Sequence, residues 1–224
     1  LYYFENIANN AMPEFVLVDS SFIDDFTTTN LAPSFYDMDN DGDLDAIIGE
    51  FNGYLLHYNR TDTGWEYIGH YLGLDLIGKS IPAWGDVDQD NDDDLVIGTK
   101  DGMVSLYINN GDLNNLEFDS QIDIGDDAAP TILSNGSIIA GNNIGELKLI
   151  HYESGNLIEG EMPDYPYCGQ NLIPRQLSID NSQEFEDLLI GSKAGGIQYL
   201  SYNTLSTKNE NDFFPLDFNI DAVY

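Results

Sequence analysis

The sequence has 224 residues, of which 42% are hydrophobic and 12% aromatic, so it carries enough apolar material to bury a core. Its 40 acidic and 7 basic residues give a formal charge of -33, which argues against binding to nucleic acid or to anionic membranes. No apolar run reaches 18 residues, which excludes a membrane-spanning segment, and the single cysteine, Cys168, excludes an internal disulfide.

Two short strands are predicted at the start of the chain, at residues 1–6 and 14–18. They match the third and fourth strands of a repeat that recurs further along, so residues 1–28 are interpreted as half of a repeat. Because the first two strands of that repeat are missing, we expect the chain to belong to a longer polypeptide.

The repeat is marked by four prolines, Pro33, Pro82, Pro130 and Pro174, which lie 49, 48 and 44 residues apart. Such spacings are typical of four-stranded propeller blades. A first strand follows each proline, and a second strand ends at a glycine, with another glycine four residues later. These glycines, interpreted as turn residues with positive φ, are Gly49 and Gly53, Gly98 and Gly102, Gly141 and Gly145, and Gly191 and Gly195.

Third strands are predicted at 54–58, 103–107, 146–150 and 197–200, and outer strands at 65–68, 116–118 and 213–217. Several of these strands are apolar on both faces, which indicates sheets stacked face to face. The prediction is an all-β fold, a β-propeller of four-stranded antiparallel blades at 29–77, 78–126, 127–170 and 171–224, belonging to a ring of about six to eight blades. A β-sandwich is the alternative, but the recurring proline and glycine frame favours the propeller.

The first repeat carries an acidic loop between its first and second strands. Ca²⁺ takes six to eight oxygen ligands, and carboxylates at alternate positions of a tight loop can converge on one ion. Gly42 allows the sharp turn that such a loop needs. The loop therefore predicts a calcium site, and its candidate ligands are Asp37, Asp39, Asp41, Asp43 and Asp45.

The second repeat has an equivalent loop in which Asn91 replaces the glycine, and asparagine tolerates the left-handed region. Its candidate calcium ligands are Asp86, Asp88, Asp90, Asp92 and Asp94. The third repeat has lost the loop, and Asn135 and Gly136 close its hairpin directly. The fourth repeat has a degraded loop, a weak candidate for a third site, with Asp180, Ser182, Glu184 and Asp187 near the ligand positions.

The segment 32–49, with its pattern D-x-D-x-D-G-x-x-D, resembles the FG-GAP/VCBS repeat family of integrin α-subunit heads, propeller lectins and large secreted bacterial proteins. The resemblance implies that the first, third, fifth and ninth loop positions bind calcium through side chains. It also implies that the seventh position, Asp43 or Asp92, binds through its backbone carbonyl. The departure at Asn91 weakens the match at the second loop.

No other motif in the sequence predicts chemistry. The three histidines show no zinc-binding spacing, and His57 and His151 lie where packing roles are expected. The stretch from about 153 to 172 has no strand pattern, and stretches of this kind are often functional. Tyr165 and Tyr167, expected to be exposed there, are candidates for contact with a sugar or a partner.

These observations predict a calcium-binding module, secreted or on the cell surface, that mediates adhesion by binding a protein or a glycan, with calcium in a structural role. The alternatives are a lectin with sugar sites between blades and a fragment of a polysaccharide lyase. Lyases usually need a cation to neutralise a uronate, and only seven lysines and arginines are present. We therefore expect a non-enzymatic protein.

Overall fold

The structure is a computed structural model that describes residues 1–7, 14–24, 26–177, 187–200 and 215–216. These residues form eighteen strands, and no helix that could cross a membrane occurs among them. The strands form one two-stranded sheet and four four-stranded sheets, all antiparallel. The all-β class predicted from the sequence is confirmed.

The two-stranded sheet contains β1 (Tyr3–Asn6) and β2 (Phe15–Asp19). Blade 1 contains β3 (Ala32–Tyr36), β4 (Asp45–Gly49), β5 (Leu55–Thr61) and β6 (Gly64–His70). Blade 2 contains β7 (Ser80–Gly85), β8 (Asp94–Thr99), β9 (Met103–Ile108) and β10 (Glu117–Asp123). Blade 3 contains β11 (Ala129–Ile132), β12 (Ile138–Gly141), β13 (Leu147–Glu153) and β14 (Asn156–Glu159). Blade 4 contains β15 (Ile173–Leu177), β16 (Asp187–Gly191), β17 (Ile197–Leu200) and β18 (Pro215–Leu216).

Within each blade the strands pair in sequence order, so every connection inside a blade is a hairpin. The first strands of successive blades contact one another, β3 with β7, β7 with β11, and β11 with β15. The four sheets therefore contact their neighbours along their first strands, which is the arrangement of blades in a β-propeller. The predicted propeller of four-stranded antiparallel blades is confirmed, and a two-stranded sheet precedes blade 1 as predicted, whereas the larger ring of about six to eight blades stays a prediction.

The core lies between the blades. In β8, Leu95 and Ile97 pack with residues of blade 1, whereas Val96 packs with residues of blade 3. All three side chains are fully buried because each face of this sheet is covered by a neighbouring sheet. This double burial explains why the strands are apolar on both faces rather than alternating with polar residues.

The glycines that end the second strands serve close contact between blades. A Cβ atom on Gly49 would lie 2.2 Å from the carbonyl oxygen of Ser80, and one on Gly98 would lie 2.4 Å from that of Ala128. The repeated prolines Pro82 and Pro130 pack against the same two glycines. The predicted positive φ holds at the later glycine of each pair, such as Gly53 (φ 91°), but not at Gly49. The turn interpretation of the earlier glycines is therefore wrong.

Blade 3 has a regular outer strand, β14, inside the stretch that the sequence predicts to be irregular. Ser154 and Gly155 join β13 to β14 with φ values of 54° and 80°, the two positive values that a tight type I′ hairpin requires. The prediction is wrong here because one residue of this turn is a serine, so the usual signal of asparagine or aspartate before glycine is absent. The irregular segment begins only at residue 160.

Candidate metal centres

The first acidic loop lies between β3 and β4, and its backbone is ordered around Asp37. One carboxylate oxygen of Asp37 accepts a hydrogen bond from the backbone N–H of Asp41 at 3.1 Å, and the other accepts from Gly42 at 3.1 Å. Gly42 has φ of 96°, so the sharp turn assigned to it is present. The chain thus wraps around the carboxylates.

The structure brings Asp37, Asp39 and Asp45 together, with one carboxylate oxygen of each within 4.8 Å of the others. Asp45 is the first residue of β4 and is buried. Its two oxygens accept backbone hydrogen bonds from Met38 at 2.9 Å and from Arg60 at 2.7 Å. Burial is the main reason that the pKa of Asp45 is raised, because it penalises the charged form.

The second loop repeats this geometry. Asp86, Asp88 and Asp94 place one oxygen each within 4.8 Å of the others. Asp86 accepts from the N–H of Asp90 at 3.0 Å and of Asn91 at 3.1 Å, and Asn91 has φ of 77°. Asparagine therefore does adopt the left-handed conformation that glycine has in the first loop.

Asp94 is fully buried at the start of β8, in the position that Asp45 has in β4. Its carboxylate accepts backbone hydrogen bonds from Val87 at 3.0 Å and from Asn109 at 2.9 Å. Burial raises its pKa to about 6 despite these donors, with a smaller contribution from the charge of Asp88. A bound cation would favour the charged form of this buried group.

The structure does not place four other candidate ligands inside these triads. Asp41 accepts from the N–H of Asp43 at 2.9 Å, and Asp90 accepts from the N–H of Asp92 at 2.9 Å. These two carboxylates support the loop backbone in the structure, and Asp43 and Asp92 likewise lie outside the triads.

The donor set of both triads consists of carboxylate oxygens, which are ligands for hard cations such as Ca²⁺ and Mg²⁺. Three carboxylates held within 4.8 Å of one another repel each other strongly unless a cation or protons reduce their charge. The residues present therefore fit a divalent metal ion, and both triads could hold one.

In the third repeat, Leu133 and Ser137 close the hairpin through a backbone hydrogen bond of 2.8 Å from the N–H of Leu133, and no acidic loop is inserted there. The turn has another contact, because Gln89 of the second loop donates to the carbonyl of Asn135 at 2.7 Å. In the fourth repeat Asp187 is buried, whereas Asp180, Ser182 and Glu184 lie outside the described residues.

The other residues singled out from the sequence have mainly structural contacts. His57 packs edge-on against Tyr71, and His151 forms a 3.1 Å hydrogen bond with the hydroxyl of Ser137. The expectation that Tyr165 is exposed is wrong, because it is half-buried and its hydroxyl accepts from the N–H of Leu147 at 2.6 Å. Tyr167 is 73% exposed, as expected.

Sequence reasoning missed the role of Glu50, a carboxylate that is 1% exposed in the hairpin between β4 and β5. The residue after the strand-ending glycine differs between repeats, as Glu50, Thr99, Asn142 and Ser192, so no shared residue type marks the position. The carboxylate of Glu50 accepts hydrogen bonds from the N–H groups of Asn52 and Tyr54, which only the folded hairpin brings into place.

The fold and the two triads define a β-propeller with two acidic clusters suited to metal ions. The sequence matches no protein-family model, and no curated protein matches it significantly. The resemblance to FG-GAP/VCBS repeats therefore stays a hypothesis that rests on the residues of the two loops.

Proposed function

We propose that this chain is a calcium-binding β-propeller module that works outside the cell and binds a protein or a glycan. The observation that carries the proposal is the pair of matching triads, Asp37, Asp39 and Asp45 in blade 1 and Asp86, Asp88 and Asp94 in blade 2. Calcium is preferred over magnesium because calcium accepts six to eight oxygen ligands in flexible geometry, whereas magnesium demands near-ideal octahedral geometry.

Calcium has a structural role in this proposal. Asp45 and Asp94 each connect their loop to the end of the third strand through the N–H groups of Arg60 and Asn109. An ion on these carboxylates would fix the loop to two strands of its blade at once. The loops of blades 1 and 2 would then be rigid, which reduces the entropy lost when a partner binds.

The extracellular location is supported by the chemistry of calcium and by the charge. Extracellular modules use calcium sites with dissociation constants of about 0.1–1 mM. Such sites are occupied only in a calcium-rich medium. A formal charge of -33 also suits a surface that has to stay soluble and repel anionic membranes.

Native mass spectrometry with added calcium tests the metal assignment, and the expected result is two bound ions. The variants Asp39→Ala and Asp88→Ala should each bind one ion, and the double variant none. Asp75→Asn, an exposed carboxylate outside both loops, is the matched control and should still bind two. Two ions in the double variant would contradict the assignment. A glycan array with calcium present then separates a glycan-binding module from a protein-binding one.

A further inference from the structure

A groove of about 1110 Å³ lies outside the two metal centres. Residues 18, 19, 21–24 and 26–28 form one wall, and the outer strands of blade 1, β5 and β6, form the other. Neither the acidic loops nor the repeat pattern of the sequence predicts a groove at this position.

The face of blade 1 that lines the groove is aromatic. Leu56, Tyr58 and Arg60 alternate along β5, and Trp65 and Tyr67 alternate along β6, so that all five side chains point to one side of the sheet. The equivalent residues of β9, Ser105 and Tyr107, and Asn109 after it, are buried in blade 2. On blade 1 Tyr58 is likewise buried, against Ile23, but Tyr67 on the outer strand is 51% exposed and lines the groove.

The groove also concentrates negative charge. Exposed carboxylates of Asp19, Asp24 and Asp62 line it together with the buried carboxylate of Glu50. Among the groove residues that the structure describes, Arg60 carries the one permanent positive charge. A cleft lined mainly by one sign of charge raises the local concentration of ligands of the opposite sign.

The surroundings of Arg60 indicate which kind of chemical group the aromatic side chains of the groove can bind. Its guanidinium lies 5.0 Å from the centre of the Trp65 ring and 5.9 Å from that of Phe22. A cation over an aromatic face is attracted by the ring, and the attraction is larger where water is excluded. Aromatic faces beside carboxylates are therefore suited to a positively charged group, and the groove already contains one from its own chain.

We propose that this groove binds the cationic side chain of a protein partner, an exposed arginine or lysine. The proposal rests on the binding part of the proposed function and is independent of the metal ions. The partner's charge would be balanced by Asp19, Asp24 and Asp62 at the rim, and its alkyl chain would pack against Tyr67. Neutral sugars could use the aromatic faces and donate hydrogen bonds to the rim carboxylates, but they carry no positive charge for these carboxylates to balance.

The experiment uses the whole chain with Trp84→Phe, which leaves Trp65 as the fluorescent reporter in the groove. The probe is the peptide acetyl-Gly-Arg-Gly-amide, and the matched control replaces arginine with citrulline, its neutral analogue of nearly equal shape. We expect the arginine peptide to give a saturable change in fluorescence. The citrulline peptide should bind at least tenfold more weakly. Calorimetry on the unaltered chain gives the same comparison if Trp84→Phe does not fold.

Two variants test the location of the site. Asp62→Asn and Tyr67→Ala should each weaken arginine binding at least fivefold, whereas Asp75→Asn, an exposed residue outside the groove lining, should leave it unchanged. If Asp62→Asn and Asp75→Asn weaken arginine binding equally, the peptide is attracted by the overall negative charge of the protein rather than by the groove. That result would overturn the proposal. Equal affinity for arginine and citrulline, or saturable binding of methyl glycosides instead, would also overturn it. Metal stoichiometry is measured separately, so loss of one proposal leaves the other standing.

Discussion

Glu50 is a buried carboxylate that holds the hairpin between β4 and β5. It accepts hydrogen bonds from the N–H of Asn52 at 2.9 Å and of Tyr54 at 3.1 Å, and from the hydroxyl of Thr28. Burial acts to raise the pKa of Glu50, but these donors outweigh it and lower the pKa below its ordinary value. The ionised carboxylate is therefore the stabilising form.

Glu50→Gln should destabilise the protein by about 1–3 kcal/mol at pH 7, since it removes a charge-assisted acceptor from buried donors. Because the folded-state pKa is lowered, this stabilisation is present above the ordinary value of 4.5 and is lost as the pH falls through the folded-state pKa. The difference in melting temperature between wild type and variant should shrink from pH 7 to pH 3.5. The exposed Glu66→Gln is the control, and a difference independent of pH would contradict the assignment.

Cys168 should be unreactive in the folded protein. Its side chain is 1% exposed, its thiol donates to the carbonyl of Pro166 at 3.1 Å, and burial raises its pKa to about 11. At pH 8 roughly one thiol in a thousand would then be ionised, and only the thiolate reacts. Reaction with Ellman's reagent should be at least ~100-fold slower in buffer than in denaturant. An exposed cysteine, Asp75→Cys with Cys168→Ser, should react at similar rates in both.

Among the structural elements, the contact between one blade's second strand and the next blade's first strand recurs three times. The glycines Gly49, Gly98 and Gly141 each lie directly under a backbone carbonyl of the following blade. A hydrogen bond accompanies the contact, as in the 3.2 Å bond from the N–H of Ser80 to the carbonyl of Glu50. Blades can approach this closely only where no side chain intervenes.

Gly49→Ala should destabilise the protein by about 1–3 kcal/mol, because its Cβ would overlap backbone atoms that cannot move aside locally. Gly191→Ala is the matched control, since it occupies the same repeat position but the nearest described atom would be 3.9 Å from its Cβ. Thermal unfolding should show a lower melting temperature for the first variant, by about 2–4 °C per kcal/mol, and little change for the second. Equal effects would mean that the blade contact is not what requires glycine.

At the scale of the whole molecule, a charge of -33 opposes folding unless cations reduce the repulsion. A ligand that binds only the folded state adds RT ln(1 + [L]/Kd), about 2.7 kcal/mol per site at a hundredfold excess over Kd. Chelation of calcium should therefore lower the melting temperature. Asp41→Ala, which affects one loop, should lower it less than chelation, which empties both. A melting curve that chelator leaves unchanged would contradict a structural role for calcium.

The propeller class, the four repeats and the two acidic loops can be predicted from the amino-acid sequence alone. Each of these depends on short-range signals, namely the spacing of prolines and glycines and the alternation of aspartates within one loop. Asp45 and Asp94 were also identified because they lie at a fixed offset from Gly42 and Asn91. These features depend on chain geometry within a few residues, so short stretches of sequence are enough to predict them.

The contacts between residues distant in the chain depend on tertiary packing and could not be predicted from the sequence. The contact of Gly49 with Ser80, the buried acceptor role of Glu50 and the hydrogen bond of Tyr165 with Leu147 all join separate hairpins. Tertiary packing also buries Tyr58 against Ile23 while it leaves Tyr67, on the same face of blade 1, exposed in the groove. Sequence periodicity shows which side of a strand a residue occupies, but the packing of neighbouring sheets determines what covers that side.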